Sequence, residues 1–138
     1  MPTLLIIEPD RATRLSLEAV FRPKHRVLAR PSPDGVEEQV RRHAVDLCLV
    51  GLDGLDDESL TAFQSLRDTT HALPFVFLSS VAPRGRLRDM LKAGCDCLRK
   101  PFDVYELEAV VERALELATL RRQVMTLRSD TDRLFPLG

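Results

Sequence analysis

The feature that most narrows what this chain can fold into is the rhythm of its apolar runs. Leu4-Leu5-Ile6-Ile7, Val45 to Val50 and Pro74-Phe75-Val76-Phe77-Leu78 are short and almost continuously apolar, and each is followed by a segment with helical spacing. A strand with one wet face alternates polar and apolar residues, whereas a run that is apolar throughout suits a parallel strand covered on both faces. Two further runs, His25 to Arg30 and Cys95 to Arg99, bring the set to five, and the more polar first one fits a sheet edge. Short strands joined by helices imply right-handed crossovers. The expected fold is therefore α/β: a doubly wound, five-stranded parallel sheet in the order 2-1-3-4-5, with an extended C-terminal helix.

The helices carry their own punctuation. Asp10 is a good N-cap for a helix whose Thr13, Leu17, Val20 and Phe21 share one face, and Pro23 ends it. Pro31 to Gly35 reads as a turn and Val36 to His43 as a short helix. Leu60, Phe63 and Leu66 mark a third helix after an acidic loop. Leu87, Met90 and Leu91 mark a fourth, with Gly94 at its C-cap, and Asp103 caps a long last one. In such a sheet, sites lie at the C-terminal ends of the strands, beside the switch point between strands one and three. Those ends carry Glu8, Pro9, Asp10, Gly51, Asp53, Ser79 and Lys100.

Composition excludes several classes. A formal net charge of −1 over 138 residues gives no basic field for nucleic acid, and no reading helix is visible. No apolar run is long enough to span a membrane, and Met1-Pro2-Thr3 lacks a secretory leader's basic start, so a cytoplasmic location is expected. Cys48, Cys95 and Cys97 form no disulfide framework, and His25, His43 and His71 lack ligand spacing. The cysteines read as small core residues, and no metal or cofactor is expected from these side chains.

Three stretches together resemble the receiver domains of bacterial two-component response regulators: Asp46-Leu47-x-Leu49, Pro74-x-Val76-x-Leu78-Ser79, and Ala93-Gly94-x-Asp96 followed by Lys100-Pro101-Phe102-Asp103. The resemblance covers residues 3 to about 118 and implies a flavodoxin-like fold. It also implies a chemistry: a histidine kinase passes a phosphoryl group to an aspartate at the end of strand three. Two acidic residues after strand one hold Mg²⁺, while a hydroxyl after strand four and a lysine after strand five contact the phosphoryl oxygens. A cis peptide at Pro101 is implied as well.

On this alignment the acceptor position is Gly51, which has no nucleophile. The acidic pair falls on Glu8 and Pro9, the hydroxyl on Ser79, the lysine on Lys100 and the aromatic switch on Cys97. Loss of the acceptor, one metal ligand and the aromatic marks an atypical receiver, or pseudo-receiver. Gly51 could serve as a backbone device, through positive φ or close approach. Asp53 is the substitute acceptor if the site has shifted by two residues, although the loop Leu52 to Glu58 reads as solvated throughout. Lys100 either pairs with Glu8 or Asp53 or stays in solvent.

The last helix changes pattern along its length. Leu107, Val110, Val111, Ala114, Leu115 and Ala118 form a sheet-facing stripe. Leu117, Leu120, Val124, Leu127, Thr131 and Leu134 then follow 3-4 spacing, an a/d seam flanked by Arg121, Arg122 and Arg128. We expect a receiver-like domain over 1–118 and a helical, coiled-coil extension over 119–138 that dimerises in parallel; folding back on the domain, or fraying, is the alternative. The expected function is non-enzymatic signalling through protein contact and dimerisation, independent of aspartyl phosphorylation, with transcription a possible output. The alternative is a phosphotransfer receiver using Asp53 or Asp10 with Mg²⁺ bound by Glu8, Asp10 or Asp53. A flavin-binding module of the same fold is disfavoured by the missing phosphate loop and the absence of Trp. The chain, whose sequence runs to Leu134-Phe135-Pro136-Leu137-Gly138, is expected to be either a stand-alone receiver or part of a longer regulator.

Overall fold

The computed structural model describes residues 1–69 and 73–134, with side chains described as far as residue 127. His71 and the segment 135–138 lie outside the described residues, as do the side chains of Thr131 and Leu134. Five strands alternate with five helices: β1 (Thr3–Ile7), α1 (Arg11–Phe21), β2 (Arg26–Arg30), α2 (Val36–His43), β3 (Leu47–Gly51), α3 (Asp57–Thr69), β4 (Phe75–Ser79), α4 (Arg86–Lys92), β5 (Asp96–Arg99) and α5 (Val104–Leu134). All pairings are parallel, in the order β2-β1-β3-β4-β5. This is the doubly wound sheet that the apolar runs imply.

Burial follows the strand patterns. β1, β3 and β4 are buried at every position, whereas β2, at the edge, is only partly so. The sheet divides the core in two. One side packs Val36, Val40, Phe63, Leu66, Leu87 and Met90 from α2, α3 and α4 against Leu5, Ile7, Cys48, Val50, Phe75 and Phe77. The other packs Leu17 and Phe21 from α1 and Leu107, Val111 and Ala114 from α5 against Leu4, Ile6, Leu47, Leu49, Val76 and Leu78. Each fully buried Leu or Phe contributes about 1.5–3 kcal/mol. Phe63, Phe75 and Phe77 add a tilted and stacked aromatic trio, with ring centroids 5.8 to 6.3 Å apart.

Asp10 caps α1 by accepting from Thr13 N (2.9 Å), and Asp103 caps α5 by accepting from Tyr105 N (2.7 Å). Boundaries differ from the sequence reading by a residue or two: β2, β4 and β5 each start one residue later, at Arg26, Phe75 and Asp96. β3 starts at Leu47 rather than Val45: the Val45 N–H is taken by the Val40 carbonyl at the end of α2 (3.2 Å), and Asp46 stands at the strand's entrance, donating its N–H to the Thr3 carbonyl and accepting the Thr3 N–H on its carboxylate, both at 2.8 Å. Gly94 stands one place beyond the α4 cap, which is Ala93, and has the left-handed φ of +107° that follows a helix end. The three cysteines are free thiols; Cys48 and Cys95 are buried and Cys97 packs against the same core face. Burial pushes all three thiols up from their ordinary range, so they act as small hydrophobes.

Candidate functional site

The site forms where β1, β3, β4 and β5 reach the same edge of the sheet. Register puts its members together: Ile7 pairs with Val50, so the next residue on each strand brings Glu8 beside Gly51. Lys100 follows β5 and is anchored by its own N–H, which donates to the Ser79 carbonyl at 2.8 Å. The peptide after it, Lys100–Pro101, is cis.

Gly51 has no positive φ, so it is not there to permit an unusual backbone conformation. Its purpose is spatial. A β-carbon added at Gly51 would lie at bonding distance from Oε2 of Glu8 and only 2.5 Å from that residue's Cδ. The carboxyl of Glu8 thus occupies the volume in which any side chain at 51 would begin. Glu8 is 1% exposed. A carboxylate that deep needs a counter-charge, and Lys100 supplies it: Nζ lies 3.1 Å from Glu8 Oε1. Asp10 N adds a long hydrogen bond to the same oxygen at 3.4 Å, while Oε2 is buried with no protein partner.

Asp53 closes the other side of Lys100, with Oδ2 3.2 Å from Nζ. It also ties two loops together, accepting from Ser80 N at 3.0 Å and Ser80 Oγ at 2.7 Å. Burial alone would raise the Asp53 carboxyl, but the two bonds from Ser80 and the Lys100 ammonium outweigh it and hold the group below the ordinary carboxylate range. Burial pulls the Lys100 amine down, and hydrogen bonds to Glu8 and Asp53, together with their charges, more than reverse that. Lys100 is therefore a fixed cation between two fixed carboxylates.

The sequence reading of the 52–58 loop as wholly solvated is corrected at Asp53, which is pinned to Ser80 and Lys100; Asp56 and Asp57 are exposed, as expected. Of the two alternatives for Lys100, the paired one is realised, and with both partners. Ser79 stands where the resemblance puts it, but it is 2% exposed and turned into its own turn: Oγ donates to the Val81 carbonyl at 3.0 Å and accepts from Val81 N at 3.2 Å. Ser80, not singled out from the sequence, is the hydroxyl that reaches the site. Ser79 closes β4, a strand buried at every position, and Ser80 is the first residue beyond it; no local pattern in the sequence separates the two hydroxyls. Arg14 was also missed; its guanidinium holds the Glu8 carbonyl at 2.8 Å and so fixes the β1–α1 turn.

The residues present do not fit a divalent cation. Pro9 offers no side-chain ligand, and Asp10 spends its carboxylate on Thr13 N and Oγ1, at 2.9 and 2.6 Å. Glu8 and Asp53 already share an ammonium. Among the described residues no three His, Cys, Asp or Glu side chains converge as a cage. Cys97, which the resemblance puts at the aromatic position, packs against the core and makes a weak 4.0 Å contact to the Leu98 carbonyl.

The fold is the CheY-like, flavodoxin-like one, and solved receiver structures superimpose on it. A response regulator from Thermotoga maritima matches with a TM-score of 0.71 at 23% identity, over 84% of this chain and 98% of that one. A CheY-like receiver domain protein from Methanospirillum hungatei matches at 0.72 and 18%, over 86% and 97%. NtrX from Brucella abortus, solved in complex with ATP, matches at 0.76 and 24%, over 91% of this chain and 29% of that one. No protein-family model matches the chain. In sequence it is similar to the transcriptional activator protein PfeR of Pseudomonas aeruginosa: 33% identical over 138 residues, taking in 97% of this chain but 44% of PfeR. The chain thus spans less than half the length of that relative. In sequence and fold it resembles a response-regulator receiver domain.

Proposed function

We propose that this chain is a receiver-like signalling module that works without aspartyl phosphorylation, through protein contact and dimerisation, in the regulation of transcription. The observation that carries this reading is the Glu8 carboxylate standing in the side-chain space of Gly51 and ion-paired to Lys100. In a phosphate-accepting site of this shape, the lysine and its neighbours are held ready for an anion that arrives. Here the anion belongs to the chain. The module has no side-chain acceptor at 51, and the Lys100 ammonium is already shared by Glu8 and Asp53, so its conformation is set by its own side chains. Similarity to PfeR over nearly the whole chain supports an output in transcription.

The surface for assembly is on α5. Leu117, Leu120, Val124 and Leu127 are 42%, 50%, 50% and 65% exposed, on a helix that runs without a break past the sheet. None of them folds back on the domain. The 3-4 spacing of these exposed apolar residues is the pattern that a second, identical helix buries, which supports a second copy of the chain as the partner. Thr131 and Leu134, which extend the seam in sequence, lie where side chains are not described.

If Glu8, Asp10 and Asp53 are committed as described, Mg²⁺ finds no site. Its thermal midpoint in Mg²⁺ should match that in an ionic-strength control of Na⁺. A selective rise of more than about 2 °C would reveal binding to the folded state and favour the phosphotransfer alternative through Asp53 or Asp10.

A further inference from the structure

We infer that the α5 seam selects a second copy of this chain in parallel orientation, through a pair of crossed contacts between Glu116 of one helix and Arg121 of the other. The inference rests on the dimer reading above, parallel as the sequence leads one to expect, and goes beyond it by fixing the register and the charges that choose the partner.

The domain face of α5 is spoken for. Leu107, Val111, Ala114 and Ala118 are buried in the core or against it. Arg113 pairs with Asp96 at 3.3 Å and Arg122 with Asp46 at 3.6 Å, two acids at the N-terminal ends of β5 and β3. The seam formed by Leu117, Leu120, Val124 and Leu127 lies roughly 130° around the helix from that face. Two such helices can therefore meet along their seams with their domains on the outside.

With Leu117 and Val124 at a, and Leu120 and Leu127 at d, Glu116 falls at g and Arg121 at the e position that follows it. In a parallel pair, g of one helix faces the next e of its partner. Glu116 and Arg121 meet twice by symmetry, with opposite charge each time. Antiparallel pairing sets e against e, and the e positions Arg121 and Arg128 are both basic. Glu116 and Arg121 are exposed, and among the described residues neither has an ion-pair partner within its own chain.

The test is sedimentation equilibrium on the full chain and on Glu116→Arg, Arg121→Glu, their equimolar mixture and Leu120→Glu, with circular dichroism to confirm that each is folded. The wild-type chain is expected to dimerise and Leu120→Glu to be monomeric. Glu116→Arg and Arg121→Glu should each weaken self-association about tenfold, since each replaces two attractions with two repulsions. Their mixture should recover association, because the altered chains are complementary in both crossed contacts. A wild-type dimer that Leu120→Glu abolishes, but that is indifferent to the charge changes, overturns the parallel register and leaves the dimer reading standing. A wild-type chain that is monomeric throughout overturns both.

Discussion

Gly51→Ala is expected to destabilise the domain by about 1–3 kcal/mol, the usual penalty for forcing atoms into a filled core. The same substitution in a Glu8→Ala background should cost far less. A methyl group at 51 cannot coexist with the present Glu8 carboxyl. That carboxyl has nowhere cheap to go: it is 1% exposed, and moving it breaks its 3.1 Å contact with Lys100. Glu8→Ala alone opens a cavity at the strand end and leaves Lys100 with Asp53 only. In the double variant the methyl at 51 grows into space that Glu8 has vacated. The two effects should therefore be coupled by about 0.5–3 kcal/mol in the stabilising direction. Urea unfolding of the four proteins reads the coupling directly. Additive costs would mean that Glu8 and Gly51 do not share one volume. A corollary is that Gly51→Asp alone does not restore an acceptor, since it adds a second carboxylate to a place that already holds one.

The second large effect belongs to Lys100. Lys100→Met removes the counter-charge of a carboxylate that has almost no access to water. Breaking a buried pair from one side costs roughly 3 kcal/mol or more, because the remaining charge is stranded. The Asp53 contact adds less, since that side chain is 38% exposed and keeps its two bonds from Ser80. Adding Glu8→Gln to Lys100→Met should recover most of the loss, as a neutral amide of the same shape needs no ammonium. The outcome that would sink this account is a Lys100→Met protein whose urea midpoint stays at the wild-type value.

Much of the fold was legible because it depends on pattern alone. β1, β3 and β4 are apolar apart from Thr3 and Ser79 at two of their ends, and such runs have few homes besides a two-sided sheet. Asp10 and Asp103 announced their helices because a cap acts within three residues of itself. The site was legible only as a set of positions. That Glu8 enters the space of Gly51 depends on the pairing of Ile7 with Val50, a register that no local pattern states. Asp53 was legible as a strand-end position and as one of two candidate partners of Lys100, but not as a pinned one: four acids in seven residues look like solvated surface, and the link to Ser80, 27 residues away, is what sets it apart. Ser79 and Ser80 are adjacent and chemically identical, so the direction of the last strand residue decides which one reaches the site. The seam on α5 was readable from its 3-4 spacing, whereas its separation from the domain face required the helix to be seen continuing past Ala118.

Whether this site accepts phosphate decides between a self-locked module and a phosphotransfer receiver. The most direct measurement is the intact mass of the chain after incubation with Mg²⁺ and acetyl phosphate, alongside Asp53→Asn. The account predicts an unchanged mass in both proteins, because Gly51 offers no nucleophile and Glu8 already holds the cation that would receive the phosphoryl group. One added phosphate on the wild-type chain, lost in Asp53→Asn, would contradict it and place the acceptor two residues beyond Gly51.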